Sequence, residues 1–333
     1  MKAREPKPWW RDYFATSEVL GQHLSFPIVI AGIGLLVSIL LTSVLSCRSK
    51  NGSTVVLYTS QDQDFAEPVL KEFTRQTGIR VQSVFDSEAV KTVALANRLL
   101  AETNHPQCDV WWSNEELRTR QLVSRGVFRE TNGWAAFGFR SRRIVVNTNK
   151  LALTDAPTSL LELTNERWRG KIALAYPMFG TTSAQFIALR QHWGAESWRA
   201  WCRALVANKP FLVDGNSVVV KFVGRGEALV GLTDSDDVLA AQRERLPVAA
   251  QPLTDESLLI PNTVALVRGA PHPTEAEALL EFLKSTYVTE ALNAAGAIDS
   301  TNVATRPHMR VDLGAAVADL EPSLNDLKQI FLR

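Results

Sequence analysis

Short β-rich runs alternate with helical patterns along the chain, and this alternation constrains the fold more than any other feature. Residues 54–58 (TVVLY) form a short apolar run bounded by polar residues, which predicts a buried strand. Residues 64–77 then place apolar side chains at helical spacing, and Gly78 follows where a helix commonly ends. The same order returns in predicted strands at residues 79–85 and 108–112 and predicted helices at 87–103 and 115–125. Strand–helix repetition predicts an α/β fold with a mostly parallel sheet covered by helices on both faces.

A second set of strands and helices follows residue 143. The predicted strands are 143–147, 172–175, 211–213, 228–233 and 262–267, and the predicted helices are 183–192, 198–207, 217–225, 275–285 and 315–332. A chain of 333 residues has room for about two domains of ordinary size.

Residues 24–47 form a separate segment that carries no charged side chain. Its length suffices for a membrane span, which needs about 20 apolar residues. Basic residues precede it, and positive charge stays on the cytoplasmic side. We therefore predict a cytoplasmic n-region at residues 1–26, a membrane segment at 27–47, and a body on the extracytoplasmic face or in the periplasm.

The end of this segment has two interpretations. Residues 44–47 (VLSC) resemble a bacterial lipobox, in which Cys47 would be lipidated and become the first residue of a lipoprotein. The alternative is an uncleaved anchor. Both tether the body to a membrane.

The overall composition excludes several classes of protein. A net charge of +1 gives no electrostatic basis for binding nucleic acid. A hydrophobic content of 46% argues against disorder, and three cysteines are too few for a disulfide-built scaffold. Cys108 and Cys202 are predicted to be small buried side chains.

Polar residues that follow the predicted strands are the candidates for a binding site, because ligands of open α/β sheets bind at the carboxyl ends of strands. Thr181, Thr182 and Ser183 begin a helix, and Asn216 follows the next strand. Free N–H groups and hydroxyls at a helix N-terminus bind anions, although the same residue types also serve as ordinary caps. Arg140 and its neighbours 142 and 143 either steer an anion or form a solvated surface.

Carboxylates form a second candidate set. Asp234 and Asp236 follow a strand together with Asp237, and clustered carboxylates repel one another unless a cation or an arginine neutralises them. Hard cations prefer such oxygen ligands, whereas the alternative is a solvated helix start. Asp62 and Glu115 are single acidic residues after strands, which are also typical of caps.

Six segments in order resemble the extracellular solute-binding proteins of ABC importers, and most of all the ferric-ion-binding periplasmic family: VVLYTSQD, TGI, CDVWWSNE, GTTSA, DGNS and GEALVGLTDSDD. The resemblance implies a two-lobe, periplasmic-binding-protein-like (type II) fold with hinge strands. It implies a first lobe at residues 54–147, a second lobe at 148–259, and a return to the first lobe with a C-terminal helix at 260–333. It also implies an ABC permease and ATPase as partners, no catalytic residue and no obligatory cofactor.

The resemblance also implies roles for individual residues. The family's histidine ligand falls at Asp62 and its glutamate ligand at Glu115. Its synergistic anion is held at the positions of Thr181, Thr182, Ser183 and Asn216. Its paired tyrosine ligands would fall near Asp234 to Asp236, where this chain has no tyrosine.

Capture of a ferric or other hard cation with an anion is thus the function that the resemblance implies, with Asp62, Glu115, Asp234 and Asp236 on the cation side. One alternative is a phosphate- or phosphonate-like oxyanion, or a zwitterion, bound without metal. Another is a metal-dependent glycosyltransferase, since Asp234-Ser235-Asp236 is a DxD triplet. A third is a binding lobe that acts as a sensor or scaffold without a transporter.

Overall fold

The computed structural model describes residues 52–86, 92–131, 133–253, 255–299 and 307–332. The n-region, the predicted membrane segment at 27–47 and Cys47 lie outside these residues. Among the described residues, none of the helices combines the length and the apolar character that a membrane crossing requires.

The order of elements follows the predicted alternation. The strands are β1 (Thr54–Thr59), β2 (Arg80–Phe85), β3 (Val110–Ser113), β4 (Trp134–Asn147), β5 (Ile172–Ala175), β6 (Phe211–Val213), β7 (Val230–Asp234), β8 (Val248–Pro252) and β9 (Leu259–Leu266). The α-helices are α1 (Gln63–Thr77), α2 (Val93–Ala101), α3 (Leu117–Ser124), α4 (Gly180–Trp193), α5 (Ala195–Ala207), α6 (Asn216–Arg225), α7 (Ser235–Arg243), α8 (Pro273–Leu283), α9 (Thr286–Ala295), α10 (Leu313–Ala318) and α11 (Leu320–Phe331).

Strand β4 joins two sheets into one strand order. Its residues 134–141 pair with β9 in the first sheet, which runs β2-β1-β3-β9-β4. Its residues 142–147 pair with β7 and β8 in the second sheet, which continues β4-β7-β5-β6. Strands β1, β2 and β3 are parallel to one another, as are β5, β6 and β7, whereas β4 and β9 run antiparallel to their neighbours. The result is a mixed α/β fold of two lobes, with β4 and the chain from β8 to β9 crossing between them.

Both faces of the first sheet are covered, as the sequence predicted. Trp111 and Trp112 are adjacent on β3 and neither is exposed. Trp112 belongs to an apolar cluster with Phe73 of α1, whereas Trp111 belongs to a different cluster with Leu99 of α2. Successive strand residues point to opposite faces, so two buried tryptophans in a row require helices on both sides. Cys108 and Cys202 are buried free thiols, in agreement with the prediction.

Helix α11 packs on the second lobe, and α10 lies between α3 of the first lobe and α4 of the second, where the sequence predicted a return to the first lobe with a C-terminal helix at residues 260–333. The apolar side chains of α11 join the cluster around α4 and α5, with the rings of Phe331 and Phe186 5.8 Å apart. Asp326 of α11 also pairs with Arg190 and Arg199 of those helices. The apolar stripe of α11 repeats at helical spacing and needs an apolar partner, which α4 and α5 provide. Among the described residues, β9, α8 and α9 complete the apolar core of the first lobe.

Candidate functional site

A cleft between the two lobes contains a cavity of about 30 Å³ that is partly open to solvent. The first lobe contributes Asp62, after β1, and Asn114, after β3. The second lobe contributes residues at the carboxyl ends of β5, β6 and β7. The residues that line the cleft include Asp62, Asn114, Arg140, Tyr176, Thr181, Thr182, Asp214, Asn216, Asp234, Asp236 and Asp237.

Parallel strand pairing explains why these residues meet. Strand β5 lies between β6 and β7 and is parallel to both, so their carboxyl ends reach the same edge of the sheet. Helix α4 begins at this edge, with Gly180 at a φ of 54°, a left-handed backbone that favours glycine. The N-terminus of α4 thereby faces the end of β7.

Arg142 is the central cation of the site, and its side chain has no exposed surface. Its Nη1 lies 2.6 Å from Asp234 Oδ1, and its Nε donates to Gln185 Oε1 at 2.8 Å. Nη1 also lies 3.1 Å from Asn216 Oδ1. The guanidinium therefore joins β4, β7, α4 and the start of α6 in one hydrogen-bonded network.

Arg140 lies two residues earlier on β4 and shares the face of Arg142. Its guanidinium is 3.2 Å from Asp234 Oδ2 and 3.3 Å from Asp236 Oδ2. Burial lowers the pKa of Arg140, but four nearby carboxylates, those of Asp236, Asp234, Asp62 and Asp237, outweigh it and raise the pKa above its usual value. The carboxylate of Asp62 belongs to the opposite lobe, so its electrostatic interaction with Arg140 crosses the cleft.

Asp234 stays ionised despite its burial. Removal from water raises the pKa of the carboxyl group, but Arg142, Arg140 and the Thr181 hydroxyl together bring it below the usual value. Thr181 Oγ1 donates to Asp234 Oδ2 at 2.7 Å, and Asn216 Nδ2 approaches the same oxygen at 3.2 Å. Asp234 is thus held by donors from three separate elements.

The predicted anion-binding residues are brought together only in part. Thr181, Thr182 and Asn216 line the cleft and bond to one another, with Thr182 Oγ1 donating to Asn216 Oδ1 at 3.2 Å. Ser183 is buried and does not belong to the cleft lining, and its hydroxyl has no hydrogen-bond partner among the described residues.

Of the predicted carboxylates, some line the cleft and one does not. Asp62, Asp234 and Asp236 line the cleft, and one oxygen from each of Asp234, Asp236 and Asp237 lies within 4.8 Å of the others, close enough to hold a metal ion. Glu115 lies outside the lining residues of this cleft. Its carboxylate accepts from the backbone N–H groups of Leu117 at 2.7 Å and Arg118 at 3.0 Å, at the start of α3. Burial raises the pKa of Glu115 to about 7.

The residues predicted to bind the solute did not include the two arginines, Tyr176, Asn114 or Asp214. Arg140 and Arg142 are buried and ion-paired, so the solvated-surface interpretation is wrong for both. The signal was their spacing of two within a β-rich run, which places both on one face of a strand. Their partners follow more than 90 positions later, at the end of a strand that pairs with theirs.

Comparison with known proteins agrees with this architecture. The sequence profile of the bacterial extracellular solute-binding proteins matches residues 55–297, most of the described chain. The chain belongs to this family. Among curated relatives of this solute-binding protein, the major ferric iron-binding protein of Neisseria gonorrhoeae is 25% identical over 282 residues, covering 77% of this chain and 83% of that protein. The Fe(3+)-binding periplasmic protein of Serratia marcescens is 28% identical over 197 residues, covering 54% of this chain and 56% of that protein.

Solved structures share the fold of this solute-binding protein. Iron-bound HitA from Pseudomonas aeruginosa superposes with a TM-score of 0.73 at 20% identity, over 84% of this chain and 99% of that one. AfuA from Actinobacillus pleuropneumoniae, with fructose-6-phosphate bound, superposes with a TM-score of 0.74 at 17% identity, over the same shares of the two chains. These two structures hold different solutes, so the fold alone does not define the ligand.

Proposed function

We propose that this protein is the solute-binding component of an ABC importer and that it captures a metal cation, ferric iron foremost, between its lobes. The observation that carries the proposal is the charge of the cleft. Five carboxylates line it, namely Asp62, Asp214, Asp234, Asp236 and Asp237, whereas Arg140 and Arg142 supply two positive charges. An excess of carboxylates in a partly closed cleft attracts a cation and supplies the oxygen ligands of a hard metal ion.

The distribution of these groups supports closure around the cation. Asp62 approaches from the first lobe, and Asp214, Asp236 and Asp237 come from the second. Tyr176 lines the same cleft and adds a phenol oxygen to the available donors. The ferric assignment is supported by the relatives named above, since several of them are named for ferric iron.

The experiment is a thermal-shift and calorimetric titration of chelator-treated protein. The probes are Fe³⁺ as its nitrilotriacetate complex, Ga³⁺ as a redox-inert trivalent cation, and Mn²⁺, Mg²⁺ and Ca²⁺. A solute present at 100 times its Kd stabilises the folded protein by about 2.7 kcal/mol, or roughly 5–10 °C in Tm for a chain of this size. Stabilisation by the trivalent ions supports the proposal, and the absence of a shift with any metal overturns it.

A pair of variants locates the site. Asp236→Asn removes a buried carboxylate of the cleft and should weaken cation binding at least tenfold, about 1.4 kcal/mol. Asp155→Asn changes an exposed carboxylate outside the cleft lining and should leave binding unchanged. Equal affinity in the two variants would place the metal elsewhere.

A second candidate is an organic zwitterion bound without metal. Asn114 Nδ2 and Arg140 Nε are buried donors with no partner among the described residues, and both residues line the cleft. A solute with acceptor oxygens would satisfy these donors while its cationic group faced the carboxylates. A thermal shift with 2-aminoethylphosphonate or a similar zwitterion, and none with metals, would favour this candidate. The DxD alternative has less support, because the chain belongs to a family of solute-binding proteins.

Membrane tethering belongs to the same proposal, with residues 27–47 holding the body at the extracytoplasmic face and an ABC permease and ATPase receiving the solute. Fractionation of cells that express the full chain and its Cys47→Ser variant tests the tether. Loss of the mature form from the membrane fraction in the variant indicates a lipoprotein, and retention indicates an uncleaved anchor. Recovery of both proteins in the soluble fraction would overturn the tether.

A further inference from the structure

The Thr181 hydroxyl at the start of α4 and the Asn216 amide at the start of α6 are already committed within the chain. Thr181 Oγ1 donates to Asp234 Oδ2 at 2.7 Å, and Asn216 Nδ2 lies 2.8 Å from Thr181 Oγ1 and 3.2 Å from Asp234 Oδ2. The other carboxylate oxygen of Asp234 accepts from Arg142 at 2.6 Å. A carboxylate of the protein therefore binds the donors that an external oxyanion would need.

The position of Asp234 follows from the sheet. It is the last residue of β7, next to β5, and α4 begins a few residues after β5. Its carboxylate is 1% exposed and lies against the first turn of α4, where the helix dipole favours negative charge. The end of β7 therefore positions the Asp234 carboxylate, a permanent negative charge of the protein, at the start of α4.

Charge balance around Asp234 disfavours a second anion. Two guanidinium groups lie within 3.2 Å of its oxygens, and Arg140 is shared with Asp236. Phosphate or carbonate placed beside these carboxylates would be repelled and would find the Thr181, Asn216 and Arg142 donors occupied.

We infer that Asp234 is a built-in substitute for a co-bound oxyanion, so that this protein takes its solute without a synergistic anion at the start of α4. The inference rests on the proposed function only in naming a cation as the solute. The prediction for Asp234 itself concerns inorganic phosphate alone and holds whether or not the protein binds metal.

The first experiment measures anion binding without metal. Asp234→Ala frees the donors of Thr181, Asn216 and Arg142, and should acquire binding of inorganic phosphate, seen as a thermal shift and as line broadening of the phosphate phosphorus NMR signal. The unaltered protein should show neither. Asp214→Asn is the matched control: it removes one exposed cleft carboxylate, and so the same charge, and should gain no phosphate binding. Folded Asp234→Ala that does not bind phosphate overturns the inference, as does equal phosphate binding by the control.

The second experiment uses the unaltered protein and so does not depend on the stability of a variant. The affinity for Ga³⁺ is measured with and without phosphate, and then with and without carbonate. The expected change is below about twofold, and a gain above about tenfold with either anion overturns the inference. If no metal binds at all, the proposed function fails, while the phosphate result with Asp234→Ala still decides the inference.

Discussion

Arg142 lies directly opposite Asp234 in the antiparallel pairing of β4 with β7, and their side chains meet at 2.6 Å. Neither side chain is more than 2% exposed. The register of the β4–β7 pairing, rather than a loop, therefore positions this ion pair. The pair lies where β4 passes from one lobe to the other. The binding site and the connection between the lobes share a residue.

Loss of this guanidinium should destabilise the whole protein. Arg142→Met leaves the Asp234 carboxylate buried with Arg140 as its remaining cation, and breaking a buried pair costs about 3–5 kcal/mol. Urea unfolding followed by circular dichroism measures the change. Arg75→Met, which removes a largely exposed pair with Glu72, is the control and should cost less than about 1 kcal/mol. Similar losses in the two variants would contradict the assigned role of Arg142.

Glu115 should make stability depend on pH near neutrality. Burial raises its pKa from 4.5 to about 7, so the folded state binds more protons than the unfolded state between these values. The free energy of unfolding therefore falls as the pH rises from about 4.5 to 7, by roughly 3 kcal/mol at most. Glu115→Gln should lack this fall in urea titrations at pH 5, 6 and 7. Parallel pH profiles for the two proteins would exclude Glu115 as the source.

Gly231 should not tolerate a side chain. A Cβ at this position of β7 would lie 2.5 Å from Val219 Cγ1 of α6 and 2.9 Å from the backbone oxygen of Ala173. Gly231→Ala should therefore destabilise the second lobe by about 1–3 kcal/mol. Gly52→Ala, where no atom lies within 4 Å, is the control for the unfolding measurement. A neutral Gly231→Ala would mean that β5 and α6 move apart easily.

Arg243 connects the two lobes. From α7 of the second lobe, it donates to the carbonyl of Ala295 and, at 3.3 Å, to that of Ala294, at the C-terminus of α9 in the first lobe. A cation at a helix C-terminus contributes about 0.3–1 kcal/mol, so Arg243→Gln should speed solute release roughly two- to fivefold. Stopped-flow dissociation of the solute that gives the largest thermal shift measures this rate. Arg225→Gln, an exposed change at the end of α6, should leave the rate unaltered.

Much of the fold was predictable because local signals and tertiary structure agree. The run at residues 54–58 becomes β1, and the helical pattern ending at Gly78 becomes α1, with Gly78 in the left-handed conformation. The sequence predicted only residues 143–147 of β4, because Gly138 and the arginines before them are unusual in a buried strand. It also predicted one final helix at 315–332 where the structure has α10 and α11, and it missed α9.

The site was less predictable because its chemistry depends on distant pairs. The sequence predicted Thr181 and Asn216 on the anion side of the site and Asp234 and Asp236 on the cation side, whereas the structure brings all four residues together. The burial of Arg142 could not be predicted from its neighbours in the sequence. A guanidinium is buried only when carboxylates surround it, and the carboxylate that pairs with Arg142 lies on another strand. Glu115 is the opposite case, because its carboxylate caps the start of α3, which follows it directly in the sequence.

The placement of β9 has a consequence for the order in which the chain matures during synthesis. Strand β9 lies between β3 and β4, although it follows every strand of the second lobe in the chain. The second lobe is completed later still, when α11 covers α4 and α5. A nascent chain that has emerged only to residue 253 would therefore leave apolar surface of both lobes uncovered, the state that chaperones bind. Neither lobe is formed by one contiguous stretch of chain, so each depends on segments that are synthesised later to cover its apolar surface.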